Sequence, residues 1–218
     1  MPDAAAHPSP RILLWLVAVG FFMQTLDGTI VNTALPAMAS SLGESPLRLQ
    51  AVVVAYMLTM AALIPASGWL ADRFGSQRVV LSAIVLFSAG SAACALSNDL
   101  SQLIAARVLQ GLGAAVLLPV GRLVILQHFP REELLSAMSF VAIPGLIGPL
   151  IGPTLGGWLV ETASWHWIFL INLPVGLVGA LATMRYMPNL KRTDAGRFDL
   201  AGYAMLVLAM IAISLALD

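Results

Sequence analysis

Seven apolar runs, separated by short polar punctuation, organise the chain. The first reads ILLWLVAVGFFMQTLDGTIVNTA from Ile12 to Ala34, longer than the ~20 residues that carry a helix across a bilayer. The pattern predicts a first helix from about Arg11 to Pro36, with a short amphipathic extension over Ala37–Leu42 and Gly43 as its cap. Ser45-Pro46 supplies an N-cap and a first-turn proline for a second helix that continues to about Ala71. A tight polar loop, Asp72–Arg78, turns the chain into a third helix over Val79–Leu96. Ser97-Asn98-Asp99 caps a fourth, from Leu100 to about Gln127. Pro130-Arg131-Glu132-Glu133 reads as the start of a fifth that reaches about Val160 across Pro144, Pro149 and Pro153. Membrane helices tolerate such breakers where neighbours satisfy the freed backbone groups. Trp165-His166-Trp167 forms an aromatic belt at the entry to a sixth, which ends before Pro188. A charged linker over 189–199 precedes the seventh run, Leu200–Leu217, and residues 1–10 read as a disordered cytoplasmic tail.

Composition agrees with the pattern. Of 218 residues 59% are hydrophobic and 10% charged, against about a quarter charged in a soluble domain. The expectation is an all-α integral membrane protein whose first partner is lipid. Lys+Arg and Asp+Glu balance at 11 each, which gives no reason to expect a nucleic-acid partner. Cys94 is the single cysteine, and His7, His128 and His166 are scattered without ligand spacing, so neither a metal nor another cofactor is expected. No phosphate-binding Gly-Lys-Ser/Thr loop and no nucleophile–base pair is visible, which argues against an ATP-driven pump and against an enzyme. A signal peptide, cleaved near Ala37-Met38-Ala39, is the bland reading of the first run; its length, its internal acid and the spans that follow oppose it. With the N-terminus inside, the inner segments hold Arg11, Arg73, Arg78, Arg122, Arg131, Arg185, Lys191, Arg192 and Arg197. The outer loops hold only Arg48, so the basic residues place the N-terminus in the cytoplasm.

Two side chains are expected to be ionised deep in the spans: Asp27 on the first and Arg107 on the fourth. At ~1.5 Å per residue Asp27 lies roughly 22 Å from the inner face. Arg107 lies roughly 10 Å in from the outer face of a core about 30 Å thick, or roughly 20 Å from the inner face. Matching depths predict that the two groups face one cavity and interact directly or through water. Burial disfavours a charged carboxylate and a neighbouring guanidinium favours it. A motion that separates the pair would therefore switch the acid between loading and releasing a proton. The alternative is a fixed salt bridge that only holds the first and fourth helices together.

Around the pair, Arg107, Gln110, Gly111 and Ala114 fall on one face of the fourth helix, and Gln24 shares a face with Asp27. Gln24, Asn32, Tyr56 and Gln110 are the candidate lining of a substrate cavity; for Tyr56 a packing role is equally open. Gly145, Gly148, Gly152 and Gly156 form a small-residue stripe on the fifth helix, beside Pro149 and Pro153. Such a stripe lets helices approach closely, as a hinge or as a passive seam. Gly68-Trp69-Leu70-Ala71-Asp72 at the end of the second helix is echoed by Gly157-Trp158-Leu159-Val160-Glu161 at the end of the fifth. One falls at the inner face and the other at the outer face, as two inverted three-helix units would place them.

Five stretches in order resemble the major facilitator superfamily, in its fourteen-span drug/proton antiporter branch, over nearly the whole chain. Leu26-Asp27-Gly28-Thr29-Ile30-Val31-Asn32-Thr33-Ala34-Leu35-Pro36 is similar to that branch's first-helix signature. Gly68 through Gly75, with Asp72 and Arg73, resembles the superfamily's loop between helices 2 and 3. Leu103–Ala115, with Arg107, Gln110, Gly111 and Gly113, resembles the helix-4 motif linked to proton transfer. Gly148-Pro149-Leu150-Ile151-Gly152-Pro153-Thr154-Leu155-Gly156-Gly157 resembles the antiporter motif on helix 5, and Trp165 to Asn172 the branch's helix-6 entry.

The resemblance implies a six-helix N-terminal bundle, a 3+3 inverted repeat, plus a seventh apolar helix. It also implies the N-terminal half of a proton-coupled exporter of the bacterial inner membrane. Asp27 and Arg107 would couple protons, and Gly68, Asp72, Arg73, Gly75, Arg122, Gly148, Gly152, Pro153, Gly156 and Gly157 would serve gating and packing, with Arg122 in reach of Asp72. Two positions depart from the pattern: Ser76-Gln77 replace a basic pair after Gly75, and His166 stands where the branch often has arginine. The implied partners are a small-molecule substrate and protons, together with a missing C-terminal half or a second copy of the chain. A non-transporting membrane assembly protein, or a fragment inactive alone, is the competing reading.

Overall fold

The computed structural model describes residues 10–191, 196 and 198–217, with side chains described to residue 210. Most of the expected N-terminal tail, and residues 192–195 and 197 of the charged linker, lie outside the described residues. The helices are α1 (Pro10–Leu42), α2 (Pro46–Phe74), α3 (Ser76–Ala95), α4 (Leu100–His128) and α5 (Leu134–Thr162), then the short α6 (Trp167–Leu170), α7 (Asn172–Tyr186) and α8 (Leu200–Leu217). With α6 and α7 counted as one span, six are long and apolar enough to cross a membrane. Among the described residues there is no strand.

Local chemistry explains most ends. Ser45 caps α2, its hydroxyl accepting from the Arg48 N–H, and the Asp99 carboxylate accepts from the Gln102 N–H at 2.8 Å to cap α4. Three boundaries differ from the sequence reading. First, α1 runs unbroken through Pro36 to Leu42. Second, the expected loop 72–78 shrinks to Gly75 alone. Charged Asp72 and Arg73 remain helical, and only Gly75, at φ 94°, leaves the helical region to turn the chain. Third, Pro130–Glu133 is a turn closed by Glu133 N–H to Pro130 C=O, and α5 begins after it at Leu134.

The sixth span is interrupted at Ile171. Pro174 sits in the first turn of α7, where its missing N–H costs nothing, and Asn172 becomes the first residue of that helix.

Packing pairs α1 with α5 and α2 with α4, each pair parallel, and sets α3 antiparallel to α4 and to α7. Exchanging α1 for α4 and α2 for α5 maps the first parallel pair onto the second, so the bundle is two inverted three-helix repeats. The α5 glycines at 145, 148, 152 and 156 meet Phe21, Thr25, Thr29 and Ile30 of α1 in turn. Four apolar clusters result, two of them large. One gathers Ile30, Val31, Leu49, Val52, Leu103 and Phe169, and the other Leu13, Val79, Val80, Val116, Val120 and Val124. Between them lies a polar layer. The seventh apolar run, α8, docks on α2 through Tyr203, whose hydroxyl donates to the Ala62 carbonyl at 3.0 Å.

Candidate functional site

Asp27 faces inward from α1, fully buried. Its Oδ2 accepts from Arg107 Nη1 at 2.6 Å, and Oδ1 accepts from Gln110 Nε2 at 2.8 Å and from Asn172 Nδ2 at 3.1 Å. Arg107, also fully buried, donates from Nη1 to Gln110 Oε1 at 2.7 Å and from Nε to the Val52 carbonyl at 3.4 Å. Its guanidinium carbon lies 3.9 Å from the centroid of the Tyr56 ring, close enough for a cation–π contact. Ser91 on α3 ties the remaining ends. Its hydroxyl accepts from Gln110 Nε2 at 3.1 Å and Asn172 Nδ2 at 3.0 Å, and donates to the Phe169 carbonyl at 3.0 Å. That carbonyl belongs to the interrupted part of the sixth span, so the break and the network are one feature. Five side chains from α1, α3, α4 and α7 thus bond to one another away from water, as buried charges require, while Arg107 Nη2 is left without a hydrogen-bond partner among the described residues.

Close backbone approach makes this geometry possible. A Cβ built on Gly90 would lie 2.5 Å from the Gln110 backbone N and 2.6 Å from its Cα. Glycine at 90 therefore lets α4 carry Gln110 up against α3.

Asp27, Arg107 and Gln110 come together in this layer, and Tyr56 lies beneath the guanidinium rather than open as a cavity wall. Gln24 is buried next to the layer but donates to Met60 Sδ at 3.4 Å. Asn32 is outside it: it is exposed and donates to the Gly28 carbonyl. Ser91, Asn172 and Gly90 complete the layer and were not among the sequence candidates. Asn172 followed two residues later by Pro174 is a helix-start signal inside an apolar span, and that signal was available.

Of the gating and packing candidates, Gly148, Gly152 and Gly156 lie buried in the α1–α5 seam, while Pro153 and Gly157 turn away from it. Gly68 is exposed with open space beside it, and Arg73 is exposed. The expected Asp72–Arg122 contact does not form. Asp72 lines a surface pocket with Leu123, Gln127 and Lys191, whereas Arg122 lines another with Phe21, Met138 and Val141. Neighbouring positions on α4 point about 100° apart, so Arg122 is turned from the α2 end toward α5. The only ion pairs among the described residues are Arg107–Asp27 and the exposed Arg48–Glu44.

Ser76 and Gln77, the departures from the basic pair, have a structural job. The Ser76 hydroxyl donates to the Pro188 carbonyl at 2.8 Å and accepts from the Leu190 N–H at 2.9 Å. Gln77 Nε2 donates to the Thr183 and Met184 carbonyls at the end of α7, adding a second donor to Thr183, which already accepts from the Met187 N–H, and satisfying Met184. Ser76→Ala is expected to cost about 1–3 kcal/mol and to speed hydrogen exchange at the Leu190 amide, with α1 amides unchanged.

The fold and the site define a class: a membrane bundle of inverted repeats with a charged layer at mid-depth, as many secondary transporters are built. The chain belongs to the Major Facilitator Superfamily, whose family model matches residues 17–216. It is 62% identical over 208 residues to a protein named multidrug resistance protein MdtD from Yersinia enterocolitica serotype O:8 / biotype 1B, covering 95% of this chain and 44% of that relative. Its namesake from Serratia proteamaculans is 62% identical over 205 residues, with 94% and 43% covered. The chain therefore spans less than half the length of these relatives. A crystal structure of the peptide transporter POT in complex with sulfate shares the fold, with a TM-score of 0.70 at 20% identity, over 99% of this chain and 46% of that one. A variant of POT in complex with alafosfalin gives 0.71 at 21% identity, over 98% and 47%.

Proposed function

We propose that this chain is the N-terminal half of a proton-coupled transporter that exports small molecules, drug-like compounds or organic acids, by alternating access. It sits in a bacterial inner membrane with its N-terminus in the cytoplasm and works with a C-terminal half. The observation that carries this reading is the buried Asp27–Arg107 pair at the contact of four spans. Ionisable groups inside a membrane are costly and as a rule line the paths of ions and substrates. All three donors to Asp27 address the carboxylate form. A proton arriving on Oδ2 would displace Arg107 Nη1 and loosen α1 from α4, which joins proton binding to helix movement. The relatives named for multidrug resistance support the substrate class.

The test is flux in proteoliposomes with the full-length protein, with and without a pH gradient. One-for-one exchange across one pH unit drives up to about tenfold substrate asymmetry, and Asp27→Asn is expected to abolish it while leaving downhill flux. Full proton-coupled flux in Asp27→Asn would remove Asp27 from the mechanism. The bonds that hold both carboxylate oxygens of Asp27 also favour a second reading, a fixed strut in an assembly protein. In that case no gradient-dependent flux appears in the wild type either.

A further inference from the structure

A second site lies apart from the polar layer. Between the first half of α1 and α7 runs an apolar cleft of about 240 Å³. Trp15, Val19 and Met23 form one wall, Val178 and Ala182 the other, and Phe87 of α3 the floor. This is smaller than the ~300–1,000 Å³ of pockets that enclose drug-sized ligands, so it is sized for a single chain. From Ile12 to Met23 it descends eleven residues, roughly 16 Å at ~1.5 Å each. That equals about one leaflet of a ~30 Å hydrocarbon core.

The space is left open by the sequence. Gly20 and Gly179 lie on opposite walls; a Cβ on Gly20 would meet nothing within 4 Å, and one on Gly179 only Ile84 Cδ1 at 3.8 Å. These glycines differ from those of α5, which serve close helix contact. At the mouth, Tyr186 is 39% exposed, and exposed Arg185 falls three residues after Ala182 and seven after Val178, on the same stripe. Trp15, 56% exposed, is held at the rim by an edge-on contact with Phe140 at 5.0 Å. An aromatic pair and a cation at the membrane surface, above an apolar slot one leaflet deep, complement an anionic amphiphile.

We propose that this cleft seats one acyl chain of an anionic phospholipid from the leaflet on the N-terminal side, with Arg185 against its phosphate. The site is independent of Asp27, and its occupancy does not require transport.

The full-length protein is reconstituted in phosphatidylethanolamine bilayers carrying phosphatidylglycerol with a photoreactive group on its acyl chain, and labelled peptides are mapped. Label is expected to concentrate on residues 12–23 and 175–182. Gly179→Leu and Gly20→Leu fill the cleft without backbone collision and are each expected to remove that label, with helicity and melting temperature checked alongside. Arg185→Ala is expected to lower the preference for photoreactive phosphatidylglycerol over photoreactive phosphatidylcholine about fivefold, the effect of one basic residue at an anionic surface. Label spread evenly over every lipid-facing helix, or unchanged in both leucine variants, overturns the proposal. Displacement of the label by tetraphenylphosphonium also overturns it, and makes the cleft a route for lipophilic cations instead.

Discussion

Arg107→Met is expected to destabilise the bundle by about 3–5 kcal/mol, because it leaves Asp27 as an uncompensated buried charge. The Asp27 carboxylate loses its 2.6 Å partner and keeps only the amides of Gln110 and Asn172. Asp27→Asn should cost less than Arg107→Met, since an amide retains an acceptor for those donors and Arg107 still reaches Gln110 Oε1 and the Val52 carbonyl. The double variant should be more stable than Arg107→Met alone, since neither charge is then stranded. A denaturation series in mixed micelles on the four proteins of this cycle gives the coupling directly. Additive effects of the two substitutions would mean that the pair is not energetically joined.

Gly90→Val is expected to be nearly as damaging. Its Cβ would collide with backbone N and Cα of Gln110, and backbone cannot rotate aside. Overpacking typically costs 1–3 kcal/mol, and about the upper end is expected where helices must separate. Cys94, one turn further along α3, reports on the separation. Its thiol is buried and lies 3.7 Å from Gln110 Oε1. Maleimide labelling of this single cysteine should be negligible in the wild type and rapid in Gly90→Val. If Cys94 stays protected and the melting temperature is unchanged, α3 and α4 can accommodate a side chain there, and close approach is not what positions Gln110.

The six spans were legible because an apolar run of membrane length admits few other structures. Asp27 and Arg107 stood out because charge in such runs is rare, and helical rise placed them at one depth. Gln110 followed from its spacing, three residues from Arg107. Ser91 and Asn172 were hidden for the converse reason: hydroxyls and amides are ordinary in membrane helices, and which face turns inward depends on neighbours the sequence does not name. Asn32 misled because it stands five residues from Asp27, about 140° around the helix, and so faces outward. The 72–78 segment was read as a loop from its charges, yet polar residues at a membrane surface continue a helix readily, and one glycine suffices to turn it. The Asp72–Arg122 pairing failed for want of azimuth, which depth alone does not supply.

The threonines along α1 leave its seam with α5 without a polar link. Thr25 and Thr29 turn their hydroxyls back to carbonyls of their own helix, and among the described residues no hydrogen bond joins α1 to α5. The glycine-lined seam is held by close packing alone, with Phe21, Thr25, Thr29 and Ile30 seated on the α5 glycines. The junction of α3, α4 and α7 is welded by contrast, since any displacement there must break bonds of Ser91, Gln110 or Asn172. Polar links among the described residues are therefore lopsided, absent between α1 and α5 and concentrated on the opposite flank.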